Sequence, residues 1–195
     1  MGHNNTLRVG IIGTGRHGSR YAGHIVNDLG HCFQLVAISR RSPAAKEQAA
    51  AWNTTLYRDW RELVASPQVE AVICVTTPDL NPAIARFCAE QKKPLLLEKP
   101  LTTDFATAKE IAALFEQLSL PLTIAQTLRY NWVILALKDH LATMGKVLSF
   151  CASQRLEPST LAWLSQPEIA GAGVIFHTAV HLFDALRFIT GQEIA

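Results

Sequence analysis

The chain has 195 residues, 49% apolar and 17% charged, with a formal net charge of +2. That suffices for one domain with an appendage or two small domains, and it is too little positive charge for a nucleic-acid surface. No apolar run reaches bilayer length and the start of the chain has no signal-like stretch, so neither a membrane nor export is expected, and a cytoplasmic location is.

Leu7–Ile12 is a short apolar run of the kind that forms a strand buried on both faces. It feeds into Gly13-Thr14-Gly15-Arg16-His17-Gly18, and a helical pattern continues through residues 21–29. Phe33–Ser39 reads as a second strand, and Ser42-Pro43 as the cap and first turn of a helix over 44–52. A short strand at 56–57 and a helix at Trp60–Ala65 precede a central strand over 71–76. Then come a helix at 82–91, a strand at 94–97, a helix at 105–118 and a strand at 122–126. Strand–helix alternation of this kind predicts an α/β fold, a doubly wound parallel sheet with helices on both faces. Beyond about residue 130 the pattern changes to a helix (133–144), a long strand (147–154) and an amphipathic helix (174–189). The strand carries Leu148, Phe150 and Ala152 on one side and has no partner in the sequence, which predicts self-association through it.

Ligands of doubly wound sheets lie at the carboxyl ends of the strands. The first such end carries a glycine motif whose turn, open backbone and helix N-terminus suit a pyrophosphate, which points to a dinucleotide. At the second, Ser39-Arg40-Arg41 stands where an NAD-binding protein carries an acid. Two guanidiniums and a hydroxyl suit a 2′-phosphate, so NADP is favoured and NAD remains the alternative. Glu98-Lys99-Pro100 follows another strand end, where a lysine could stabilise a developing alkoxide. On the last helix His177 and His181 share a face with Asp184. Histidine suits proton transfer in alcohol oxidation near neutral pH. Thr178 occupies the place of the glutamate in a zinc-protease motif and no third ligand is evident, so no metal is expected. Cys32, Cys74, Cys88 and Cys151 are widely spaced and read as buried free thiols.

Taken together these motifs resemble the Gfo/Idh/MocA oxidoreductases, which include glucose–fructose oxidoreductase and inositol dehydrogenase. The resemblance runs through Gly13–Gly18, Thr76-Thr77-Pro78-Asp79, Glu98-Lys99-Pro100, Arg129-Tyr130-Asn131, Met144-Gly145-Lys146-Val147 and Gly171-Ala172-Gly173, ending in His177-Thr178-Ala179-Val180-His181-Leu182-Phe183-Asp184. It implies an NAD(P)-binding Rossmann domain over 1–126. A partial substrate and oligomerisation domain would follow over 127–195, the start of an incomplete α+β sheet. It places Lys99 against substrate and nicotinamide, and His181 as general acid/base with His177 beside it. Cofactor contacts are implied for Thr14, Arg16, His17, Thr76, Thr77, Pro78, Asn81, Glu98 and Gln126, and substrate contacts for Lys99, Arg129, Tyr130, His177 and His181. The implied reaction is hydride transfer between nicotinamide and a sugar, polyol or related alcohol. The alternatives are a regulator that binds NAD(P) without turnover and an NAD-dependent glycosidase. Two departures stand out: His177 replaces an aspartate common in the sugar dehydrogenases, and relatives are much longer, so the chain reads as truncated in its second domain.

Overall fold

The computed structural model describes residues 6–155, 159–171 and 173–193. The chain divides into two compact units, Met1–Ile124 and Ala125–Ala195. Of the Gly171-Ala172-Gly173 motif, Ala172 lies outside the described residues.

The first unit alternates β1 (Leu7–Ile12), α1 (Gly18–Asn27), β2 (Phe33–Ser39), α2 (Ala45–Ala51), β3 (Thr55–Tyr57), α3 (Trp60–Ala65), β4 (Ala71–Cys74), α4 (Asn81–Glu90), β5 (Leu95–Leu97), α5 (Phe105–Gln117) and β6 (Leu122–Ile124). All neighbouring strands are parallel, in the order β3-β2-β1-β4-β5-β6. The order reverses direction between β1 and β4, and right-handed crossovers then place the two sets of helices on opposite faces.

Two separate cores result. Val9 and Ile11 of β1 pack with Leu35 and Ile38 of β2, under Ala22 and Ile25 of α1 and Ala49 of α2. On the other face, Ile12, Val72, Cys74, Leu95 and Leu97 pack under Leu63 and Val64 of α3, Ile84 and Cys88 of α4, and Ile111 and Phe115 of α5. Strand side chains alternate between faces, so Leu35 and Ile38 should oppose each other. They share a face because the register slips between Val9 and Gly10, which pair with Leu35 and Ala37 and leave Val36 as an extra residue.

The register also aligns the strand ends. Tyr57, Ser39, Ile12, Cys74, Leu97 and Ile124 form one row across the sheet. In the first five strands the next residue is therefore brought to the carboxyl edge: Arg58, Arg40, Gly13, Val75 and Glu98. This row builds the site.

The second unit is helical. A single 3-10 turn (Thr127–Tyr130) leads into α6 (Trp132–Leu141), whose first N–H groups are capped by Asn131. After a further 3-10 turn (Ala162–Ser165) and the one-turn α7 (Pro167–Ala170), a π-helical turn (Ile175–Ala179) runs into α8 (Val180–Thr190). α6 packs against α8, with the Lys138 ammonium 4.0 Å from the centre of the Phe188 ring.

Several local expectations are corrected. Residues 145–155 have no regular structure, so the strand expected at 147–154 is not formed, and Leu148 and Phe150 are exposed. An isolated strand has no ladder to stabilise it, and among the described residues no segment supplies one. The Ser42 cap does not form: Ser42–Ala44 make a turn, and α2 begins at Ala45 without a side-chain cap. All four cysteines are free, but only Cys74 and Cys88 are buried, while Cys32 and Cys151 are exposed. One stretch, Pro167–Thr190, is long and apolar enough in composition to cross a membrane, contrary to expectation. Gly171 and Gly173 in it are not helical, it carries Glu168, Asp184 and Arg187, and composition alone is weak evidence for a span.

Candidate active site

β1 ends at Ile12 and the chain turns at Gly13, whose φ is +88°; a Cβ there would lie 2.1 Å from the Val75 carbonyl oxygen. At Gly18 a Cβ would lie 2.0 Å from the Gly13 carbonyl oxygen. Both glycines are demanded by the protein's own packing. Gly15 is different, because among the described residues a Cβ there would meet nothing within 4 Å. Its lack of a side chain leaves open space over the loop. α1 starts immediately afterwards with no side-chain cap and no acidic residue in its first turn. An uncapped helix start beneath open backbone suits an anion such as a pyrophosphate.

The loop is braced from below. Thr14 is fully buried; its hydroxyl donates to Gln48 Oε1 at 2.9 Å, and its carbonyl accepts from Arg40 Nη1 at 2.9 Å and Gln48 Nε2 at 3.1 Å. Arg40 Nη1 also donates to Gln48 Oε1 at 2.9 Å. The Thr14 side chain, expected on the cofactor, is thus committed to α2. Arg40 holds the loop rather than standing clear of it. Ser39 is buried, and its carbonyl accepts from the Gly13 N–H at 2.9 Å. Arg16, His17 and Arg41 are exposed. Arg58, one residue past β3, donates from Nη1 to the Arg41 carbonyl at 3.0 Å, which brings another guanidinium to the same loop.

Beyond β4, the Thr76 hydroxyl donates to Asn81 Oδ1 at 3.0 Å, and Asn81 Nδ2 donates to the Pro100 carbonyl at 2.8 Å. Asn81 is 1% exposed, so its amide ties the Thr76 turn to the Glu98-Lys99-Pro100 turn from beneath instead of facing a ligand. Pro78 is buried and Thr77 half-buried. The Lys99–Pro100 peptide is cis. Glu98 is 8% exposed, and a buried carboxylate needs donors. Among the described residues it has three: Tyr21 Oη at 2.6 Å and His17 Nε2 at 2.8 Å on Oε1, and the Lys99 N–H at 3.2 Å on Oε2. Burial and this carboxylate push the Tyr21 phenol well above its ordinary range, so it remains a donor. Burial lowers the Lys99 ammonium, and the charge of Glu98 opposes that effect.

In the second unit Arg129 makes a two-pronged pair with Asp184, Nε to Oδ2 at 2.8 Å and Nη2 to Oδ1 at 2.7 Å. The hydrogen bonds it donates to Asp184 hold the Arg129 guanidinium above its ordinary pKa. Expected on substrate, Arg129 instead fastens the Thr127–Tyr130 turn to the helix that carries His181. His177 lies in the π-turn, and its ring meets Trp163 edge-on at 5.6 Å. Tyr130 is exposed, and Gln126 Oε1 is buried with no hydrogen-bond partner among the described residues. Among the described residues no three metal-ligating side chains are gathered. An apolar groove of about 330 Å³ lies at the amino ends of the strands, against Leu7, Val9, Ala71 and Leu95, and shares only Tyr21 with these networks.

Residues 7–126 match the model of the GFO_IDH_MocA family, described as an oxidoreductase family with an NAD-binding Rossmann fold. The chain belongs to this family. It is 24% identical over 192 residues to a myo-inositol 2-dehydrogenase of Thermotoga maritima, covering 96% of this chain and 56% of that protein. It is 27% identical over 193 residues to an inositol 2-dehydrogenase of Mycolicibacterium gilvum, covering 97% and 54%. Among solved structures, the fold matches a biliverdin reductase of Synechocystis with a TM-score of 0.76 and 24% identity, covering 93% of this chain and 57% of that one. The chain spans about half the length of the relatives it matches.

Within this Gfo/Idh/MocA chain, three residues of the site escape a reading of motifs. Gln48 braces the loop from α2, Tyr21 holds Glu98 from α1, and Arg58 reaches the Arg41 loop from beyond β3. Tyr21 had a signal, since it lies four residues after His17 on one face of α1. Arg58 had one too, because parallel pairing of β2 and β3 sets their carboxyl ends side by side. Gln48 had none.

Proposed function

We propose that this chain binds NADP(H) in preference to NAD(H) and serves the reversible oxidation of an alcohol group on a sugar or polyol. The open space at Gly15, set between two glycines that packing requires, is the observation that carries the reading. The loop N–H groups and the start of α1 would hold the pyrophosphate, and Arg41 and Arg58 the 2′-phosphate, with Arg40 and Gln48 keeping the loop in shape. Bound there, the nicotinamide supplies the two-electron redox chemistry.

The remaining steps belong to side chains. Lys99 donates to the substrate oxygen and stabilises negative charge as it develops. Its partial burial makes it give up a proton more readily than an ordinary lysine. His181 accepts the hydroxyl proton, and His177 and Tyr130 contact the substrate. The inositol dehydrogenases among the relatives favour a polyol, and the even charge balance fits a small neutral substrate in a cytoplasmic setting.

The test is a panel of inositols and hexoses assayed with NADP and with NAD, following nicotinamide absorbance. Turnover should favour NADP, and His181→Ala should lower it by about 10²–10⁴-fold, the usual contribution of a positioned acid/base. Cofactor binding without turnover on any polyol would remove the enzymatic part of the reading.

A further inference from the structure

Glu98 is placed by the sheet register one residue beyond β5, at the carboxyl edge and beside the cofactor loop. Two of its three donors come from the loop and the helix it opens: His17, at the end of the glycine motif, and Tyr21, one turn into α1. The third is the backbone N–H of Lys99. One carboxylate therefore joins the phosphate-binding segment to the lysine. The rings of His17 and Tyr21 also meet edge to face at 5.6 Å, so the two donors support each other.

We propose that Tyr21 and His17 are positioning residues for Lys99, holding the Glu98 carboxylate in place against the turn that carries the lysine. This rests on the reading of Lys99 as the group that donates to the substrate oxygen. Among the described residues, the charged and titratable groups around Glu98 include His17 and Tyr21 from the α1 side, Lys99 from its own turn and Cys74 from β4. Burial pushes the Cys74 thiol up to about 12, so it stays neutral and adds no charge. The charge of Glu98 opposes the desolvation of Lys99. If the Tyr21 hydroxyl is lost, the carboxylate keeps one side-chain donor among the described residues, His17, and is less firmly placed. Lys99 should then lose its proton more readily. The cofactor loop and the reacting lysine would thereby be tuned through one shared group.

The experiment reads Lys99 directly and needs no turnover. Acetylation of the full chain by acetic anhydride is followed against pH, with the rate at Lys99 resolved by peptide mass spectrometry, in wild type, Tyr21→Phe and Glu98→Gln. Glu98→Gln should raise the Lys99 rate at neutral pH several-fold, because only the neutral amine reacts. Tyr21→Phe should raise it in the same direction by less, while keeping the ring and its packing. The rates of other lysines should not change. A Lys99 profile unmoved in both variants overturns the proposal, and so does a fall in thermal stability with no change in the Lys99 profile, which is what a purely structural tie would give. NADPH titration of the same samples keeps the two readings apart: failure of the wild type to bind would overturn the proposed function and leave the Lys99 comparison intact.

Discussion

Burial pulls Lys99 toward its neutral form, against the opposing pull of Glu98. The folded chain thus binds fewer protons at this site than the unfolded chain between the lowered value and the ordinary lysine value. Stability should rise with pH through that window, and the cost of the buried charge is fully present below it. Lys99→Met, which keeps the length of the side chain and removes the charge, should therefore raise the thermal midpoint at neutral pH. The gain should shrink as the pH approaches the ordinary lysine value. Melting curves across a pH series check this, and a variant no more stable than wild type at neutral pH would contradict it. A site that gains stability when its chemistry is deleted is storing cost for function. At this scale, Glu98-Lys99-Pro100 could be picked out of the sequence, but the partners that give the turn its properties could not. Tyr21 and Asn81 lie far from it along the chain, and only the parallel register brings them to it.

Elements of the first unit were readable because the inner strands are largely buried on both faces and the helices bury one, so period and burial agree. β1, β2 and α3 fall where their apolar runs predict, and most of the other elements begin or end within a few residues of the expectation. Elements of the second unit were less readable. The alternation at 147–154 describes a surface that would fit a sheet, but alternation supplies no hydrogen-bond partner. The π-turn at Ile175–Ala179 was equally hidden, since helical periodicity does not distinguish one turn type from another. Such turns recur at functional sites, and this one carries His177. What fixes α8 is the pair between Arg129 and Asp184, in which the carboxylate is nearly buried and the guanidinium is 44% exposed. Arg129→Met should lower stability by about 1–2 kcal/mol, less than a fully buried charged hydrogen bond because solvent reaches the arginine. Faster hydrogen exchange in α8 together with a lower denaturation midpoint would confirm that role. Unchanged exchange would mean that the pair does not hold the helix.

For the molecule as a whole, the doubly wound sheet explains why the chemistry-bearing residues gather despite their spread along the sequence. The order reverses between β1 and β4, and the aligned strand ends deliver Arg40, Gly13, Glu98 and Arg58 to one edge. The family match covers this unit, and proteins named for inositol and for biliverdin share its fold, so the sheet specifies the cofactor half of the chemistry and leaves the substrate to other residues. Gly15 isolates the proposed dinucleotide role of the glycine loop, because among the described residues a Cβ there would meet nothing within 4 Å. The decisive measurement is a calorimetric titration of NADPH into wild type and Gly15→Ala, with a melting curve for each. The expected result is a thermal midpoint unchanged or slightly raised in the variant and an affinity reduced by about tenfold or more, the loss of a close charged contact. Equal affinities in two equally stable proteins would contradict it.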